Sequence, residues 1–194
     1  LLGVVQERLH AEGRVAAVVY LQGCNLACPA CAVPHLVARD GPPGGLIPAE
    51  SVLDAVFSRR QMLDGVVVTG GEPTLHETLP DLLEILRSFG LETRVHTNGT
   101  RSRALRRLLE ADLVDSVAMT LRGPLNALYS VASGVEVDLG GIYRSVELLL
   151  ADPGEHEFRV PWFPGLVEAK QVESILRMLA GARRVVLEPA PGGE

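Results

Sequence analysis

Short, valine-rich apolar runs recur along the chain, and each gives way to a stretch in which apolar residues return every three or four positions. The runs are Val15–Leu21 (VAAVVYL), Val66–Thr69 (VVVT), Leu91–Thr97 (LETRVHT), Val114–Leu121 (VDSVAMTL), Glu157–Trp162 (EFRVPW) and Arg184–Leu187 (RVVL). Their β-branched content, short length and Gly, Pro or Asn boundaries predict strands. Helical spacing between them predicts helices from Pro48 to about Arg60, Thr78 to Phe89, Ser102 to Glu110, Gly141 to Leu150 and Glu168 to Leu179. In the second of these, Leu79, Leu82, Leu83 and Leu86 share one face and Gly90 marks the stop.

Strands alternating with helices predict parallel βαβ units, and nearly continuous apolar strands predict a sheet covered on both faces. Periodicity alone leaves an open doubly wound sheet and a barrel as alternatives, but six units are too few for a full eight-stranded barrel. The segment from Arg122 to Gly140 (RGPLNALYSVASGVEVDLG) has neither period and is expected as a long connection over the active face. No low-complexity tract, linker or repeat interrupts the rhythm, so one domain spanning 1–194 is expected.

Composition adds limits. Hydrophobic residues make up 47% of the chain and charged residues 22%, ordinary for a soluble globular protein. Aromatics are only 4%, so the core must be built from Val, Leu, Ala and Ile. No apolar run approaches the roughly 18 residues of a membrane span, and no leader with a small-residue cleavage site is present. The expected location is the cytoplasm. The chain begins at Leu1 rather than methionine, which leaves its natural start open. A net charge of −6 without a basic block argues against nucleic acid as the direct substrate. Arg101, Arg103, Arg106 and Arg107 have the spacing of a solvated helix face.

All three cysteines fall within Gly23–Cys31, GCNLACPAC. An odd number so tightly spaced argues against a disulfide framework. The spacing C-x₃-C-x₂-C can bring three sulfurs of Cys24, Cys28 and Cys31 around one metal centre, and thiolates ligate zinc or iron–sulfur clusters. His35 offers a fourth ligand for a Cys₃His zinc site, and buried or redox-active thiols are a further alternative. A cluster held by three cysteines keeps a position open, as catalysis requires. The other strand ends are also polar: Thr69-Gly70-Gly71-Glu72-Pro73-Thr74, His96-Thr97-Asn98-Gly99 and Thr120-Leu121-Arg122-Gly123-Pro124, with Arg159 inside the fifth strand. Ligands of parallel α/β proteins bind at the C-terminal strand edge, so this is the layout of an active site.

With CxxxCxxC after the first strand and GGEP after the second, the sequence resembles the radical S-adenosylmethionine superfamily. The likeness extends over nearly the whole chain. Met62–Leu75 (MLDGVVVTGGEPTL) and Thr97-Asn98-Gly99 are most similar to the activating enzymes of glycyl radical proteins, in particular the anaerobic ribonucleoside-triphosphate reductase activating type. The resemblance implies a partial (β/α)₆ TIM-like barrel of parallel strands with outer helices. It implies a [4Fe–4S] cluster on Cys24, Cys28 and Cys31, with S-adenosyl-L-methionine chelating the fourth iron. It also implies reductive cleavage of that cosubstrate to a 5′-deoxyadenosyl radical, which abstracts hydrogen from a glycine of a partner glycyl radical enzyme. Flavodoxin or ferredoxin would supply the electron. In this frame Gly70 and Gly71 let backbone approach the methionine amino end, Glu72 accepts from that amine or orients the turn, and Asn98 binds a ribose hydroxyl or supports its loop. Arg122 pairs with the methionine carboxylate, as bidentate arginine suits a carboxylate, and Arg159 meets nucleoside or carboxylate.

Several positions depart from the activator pattern. Ala30 replaces the aromatic before the third cysteine, and Ala32-Val33 replaces a polar pair. His96 and Thr120 stand where acids are expected beside the cosubstrate, and in activators those acids help hold a monovalent cation. A protonated His96 together with Arg122 is the expected replacement for that ion's charge. Radical enzymes modifying a peptide or a nucleoside-like molecule, and a non-catalytic zinc protein on a degenerate barrel, are the alternatives. Little chain remains beyond the barrel to bury a small substrate, so a macromolecular partner is expected over its open side.

Overall fold

The computed structural model describes residues 2–8, 14–38, 45–162 and 169–189. Strands β1 (Leu2–Arg8), β2 (Val15–Leu21), β3 (Gly65–Gly70), β4 (Glu92–Thr97), β5 (Ser116–Thr120), β6 (Glu157–Trp162) and β7 (Arg184–Pro189) form one sheet in strict sequence order. All pairs from β2 to β7 are parallel, and β1 runs antiparallel along β2. Helices α1 (Ala49–Arg59), α2 (Leu79–Ser88), α3 (Ser102–Glu110), α4 (Ala127–Ser133), α5 (Leu139–Ala151) and α6 (Ala169–Met178) occupy the connections. A strand order that never reverses has no switch point, so right-handed crossovers leave every helix on the same face. The sheet is therefore singly wound: a partial barrel of six parallel strands with its helices outside.

Strand alternation divides the two faces. Ala17, Val19, Val66, Val68, Val95 and Val117 turn outward into a core with the buried leucines of α2 and α3. Inside the barrel, Ala16, Val18 and Val67 form a small apolar cluster with Tyr20. On β4 and β6 the inward positions are instead Arg94, His96, Glu157 and Arg159. In α2 the buried residues are Leu79, Leu83 and Leu86, Pro80 occupies the first turn, and Gly90 follows the helix at φ 78°. That left-handed conformation is the usual glycine stop. Among the described residues no helix is long and apolar enough to cross a membrane.

Two elements were not expected. β1 is an edge strand held by pairing with β2. Helix α4 lies within the connection predicted as irregular. Its seven residues are too few to display a helical period, yet both ends are marked. The Asn126 side chain accepts from Leu128 N at 2.9 Å, and Gly134 closes it at φ 70°. The predicted start of the last helix, Glu168, lies outside the described residues.

Candidate active site

The loop leaving β2 is tied down on three sides. Gly23 N donates to Leu36 O at 2.8 Å and Cys24 N to Val37 O at 3.0 Å, closing the loop on itself. Glu72 N donates to Gly23 O at 2.8 Å, joining it to the end of β3, and Ala27 N donates to Ser133 O at 2.9 Å, joining it to the end of α4. The Gln22 amide donates to the His35 and Ala38 carbonyls, and His76 Nε2 donates to Gln22 O at 2.9 Å. Buried Leu26 and Leu36 anchor the loop from below. A segment with few regular contacts of its own is thereby held in one shape.

The glycines are what permit this closeness. A Cβ on Gly70, which sits at φ 121°, would collide with the Leu21 backbone, and a Cβ on Gly71 would collide with the Gly23 carbonyl. A Cβ on Gly134 would strike the Ala27 carbonyl. The room these glycines leave is thus occupied by the chain itself, where the cysteine loop crosses its neighbours.

Cys24, Cys28 and Cys31 are free, half-buried thiols lining a cavity of about 180 Å³. Gly70, Gly71, Ala30, Thr120, Arg122 and Arg159 share its wall. Burial pushes the Cys24 and Cys28 thiols up; the Leu26 N–H, donating to Cys24 Sγ at 3.4 Å, and Arg122 beside both sulfurs work in the opposite direction. Arg122 Nε is buried without a hydrogen-bond partner. The Tyr129 hydroxyl of α4 is buried beside the Arg122 backbone and near Cys28, and burial pushes its pKa up to about 12. Buried polar atoms are nearly always paired, so the unpaired Arg122 Nε beside a polar cavity points to a bound group.

Glu72, Thr97 and Asn98 stand behind this cavity rather than in its wall. The Glu72 carboxylate is fully buried and accepts from Thr74 N at 3.1 Å, Thr74 Oγ1 at 2.5 Å, Thr97 Oγ1 at 2.7 Å and Asn98 N at 2.6 Å. Burial pushes its pKa up, and the four donors oppose that shift. Of its two predicted roles, the geometry fits orienting the turn. Asn98 is likewise occupied: its Oδ1 accepts from Thr100 N at 3.0 Å and Thr100 Oγ1 at 2.7 Å, and its Nδ2 donates to Asn25 Oδ1 at 3.0 Å. That is the loop-supporting alternative, one residue from Cys24.

His96 lies inside the barrel near Arg94 and Arg159. Arg94 Nε donates to His96 Nε2 at 3.4 Å. Burial first, and then the Arg159 and Arg94 charges, lower its pKa to about 3. His96 is therefore neutral near pH 7, against the expectation that it carries a replacement charge. Arg159 lines the cavity and is held by Glu157 behind it, with Nε 2.6 Å from Oε1, and by Glu188 in the same wall, with Nε 3.6 Å from Oε1. Glu157 also meets Arg94 at 3.2 Å and Arg184 at 2.8 Å. The sequence reading missed this hub. Its signal was present as charges at inward alternate positions of strands otherwise built for burial.

His35 is exposed and does not line the cavity. Among the described residues no three His, Cys, Asp or Glu side chains stand close enough to enclose a single metal ion. Three thiols spaced around a cavity, with a cation beside them, fit a multi-atom thiolate-ligated cluster better than zinc.

Fold and site together define a partial barrel of parallel strands with a three-cysteine loop and a cavity at its C-terminal strand edge. Residues 18–149 match the model of the Radical SAM superfamily, and the chain belongs to that superfamily. Its members use a [4Fe–4S] cluster and S-adenosylmethionine. A 7-carboxy-7-deazaguanine synthase of Aquifex aeolicus is 33% identical over 103 residues, covering 51% of this chain and 45% of that enzyme. A Methanocaldococcus jannaschii protein bearing the name glycyl-radical enzyme activating enzyme is 26% identical over 169 residues, covering 84% of this chain and 68% of its own length. The crystal structure of Streptococcus suis SuiB bound to S-adenosylmethionine superposes with a TM-score of 0.71 at 16% identity, covering 89% of this chain and 40% of that one. This chain thus spans less than half of the Aquifex enzyme.

Proposed function

We propose that this protein activates a glycyl radical enzyme of the anaerobic ribonucleotide reductase type by removing a hydrogen atom from a partner glycine. The carrying observation is the extent of the match to the M. jannaschii protein, which covers 84% of this chain, against 51% for the Aquifex synthase.

Cys24, Cys28 and Cys31 would hold the cluster, and Arg122 would meet the cosubstrate carboxylate. When bound, these groups supply one-electron chemistry that generates a hydrogen-abstracting carbon radical. The protein's own part is positional. Glu72, Thr97 and Asn98 fix the wall behind Cys24, the α4 end fixes Ala27, and Glu157 with Glu188 aims Arg159 at the cavity. Oxygen-labile thiol ligation fits a cytoplasmic setting.

The test is anaerobic reconstitution followed by mixing with the large subunit of an anaerobic ribonucleotide reductase. An electron paramagnetic resonance doublet on that subunit, collapsing when its glycines carry deuterium at Cα, is the expected result. Release of 5′-deoxyadenosine with no protein radical would sink the activase reading. Turnover of a deazapurine precursor would instead establish the second reading, which the identity to the Aquifex synthase favours.

A further inference from the structure

We propose that the outer face of α3 is the docking surface for an acidic protein that delivers the electron; this rests on the radical-enzyme reading of the site. Arg101, Arg103, Arg106 and Arg107 are exposed on or just before this nine-residue helix. None makes an ion pair among the described residues. Five other surface arginines meet carboxylates, Arg14 with Glu92, Arg87 with Asp115, Arg144 with Asp138, Arg177 with Glu173 and Arg183 with Glu155, while Arg59 and Arg60 bond to backbone carbonyls of α1. A chain of net charge −6 thus leaves four cations together and uncompensated. Leu105 and Leu108, both buried, fix the opposite face of the helix.

The face is also shaped. An open groove of about 840 Å³ is lined by Ser102, Arg103, Arg106, Arg107 and Arg144. Arg101 and Arg107 border a second groove of about 350 Å³ beside Leu75 and Pro80, where exposed Glu77 forms no ion pair with them. A negatively charged protein surface is what such a patch attracts over distance and orients on arrival.

Its location supplies the purpose. Thr100 directly precedes Arg101, and its Oγ1 accepts from Asn25 Nδ2 at 2.8 Å, with Asn25 bonded to Cys24. The patch therefore begins one hydrogen bond and two peptide bonds from a cysteine of the proposed cluster. The step moves one electron and no atoms: a low-potential flavin or iron–sulfur protein loses it, and the cysteine-held cluster gains it.

The test uses the full chain, reconstituted without air, and its variant Arg101→Glu/Arg103→Glu/Arg106→Glu/Arg107→Glu. The probe is a flavodoxin of net negative charge in its hydroquinone form, with the cation radical of methyl viologen as the small reductant. Stopped-flow bleaching of the cluster gives both rates, and calorimetry gives oxidised flavodoxin binding to each chain. At low ionic strength the variant should lose at least tenfold in flavodoxin rate and affinity, the gap closing at high salt, with the viologen rate unchanged. A flavodoxin rate within twofold of the parent overturns the proposal, and so does an equal fall with viologen. Binding of a tRNA probe that the variant loses, without any change in flavodoxin rate, would assign the face to a polyanion instead. If the parent chain forms no reducible cluster, the functional reading falls and takes the proposal with it. If it forms one that ignores the α3 charges, only the proposal falls.

Discussion

Arg122 and His96 illustrate how a side chain's neighbours decide what it does. Leaving Arg122 Nε buried and unpaired costs stability unless a ligand accepts from it. Arg122→Met should therefore weaken S-adenosylmethionine binding by about tenfold to a hundredfold, equivalent to roughly 1.5–3 kcal/mol for a hydrogen bond to a charged group. Equilibrium dialysis against the reconstituted protein measures this, and unchanged binding would remove Arg122 from the site. His96, held near pKa 3 by burial and two arginines, stays neutral in the folded state while the unfolded chain protonates near 6.5. The unfolded state then binds more protons between those values, so stability should fall as pH drops from about 6.5 toward 3. The slope approaches about 1.4 kcal/mol per pH unit. His96→Asn should flatten that slope in denaturant titrations run across the range.

At the scale of elements, the cysteine loop is shaped by what it crosses. Its contacts with the end of β3 and the end of α4 both pass through glycines with no space for a methyl group. Gly134→Ala should be the more informative change, because it adds a clash with the Ala27 carbonyl and strains a residue at φ 70°. A cost of about 1–3 kcal/mol is expected. The diagnostic pattern is a fall in bound iron per chain with the far-ultraviolet circular dichroism preserved. Iron retained in full would mean that the loop does not depend on α4.

Across the whole molecule, one carboxylate organises the inner wall of the barrel from β4 to β7. Glu157 meets Arg94, Arg159 and Arg184, and Arg94 is only 2% exposed. Burial would raise the Glu157 pKa, but the Arg159 hydrogen bond and the arginine charges hold it below the usual glutamate range. Its stabilisation is thus complete above the ordinary glutamate pKa and lost as pH falls through the lower folded value. Glu157→Gln removes the buried charge shared by Arg94, Arg159 and Arg184 and should cost about 3–5 kcal/mol in urea unfolding near neutral pH. A loss under 1 kcal/mol would mean that the three arginines find other partners.

The hydrophobic rhythm was enough to give six parallel strands, the helices between them and the rim on which Cys24, Gly70, Thr120 and Arg122 meet. Those features follow from local periodicity and from the rule that parallel strands present their C-terminal ends together. Strand order, which separated barrel from open sheet, needed the pairings themselves, because both arrangements share one period. α4 and β1 escaped notice for the same reason at smaller scale: one is too short to show a period, and the other is defined by its partner. The chemistry divides likewise. Three closely spaced cysteines announce a metal centre wherever they fold, since the ligands are local. The neutrality of His96, the occupied hydrogen bonds of Glu72 and Asn98, and the Glu157 hub depend on charges and donors brought together from strands far apart in sequence. Only packing sets those distances, and electrostatic effects follow distance and burial rather than residue type.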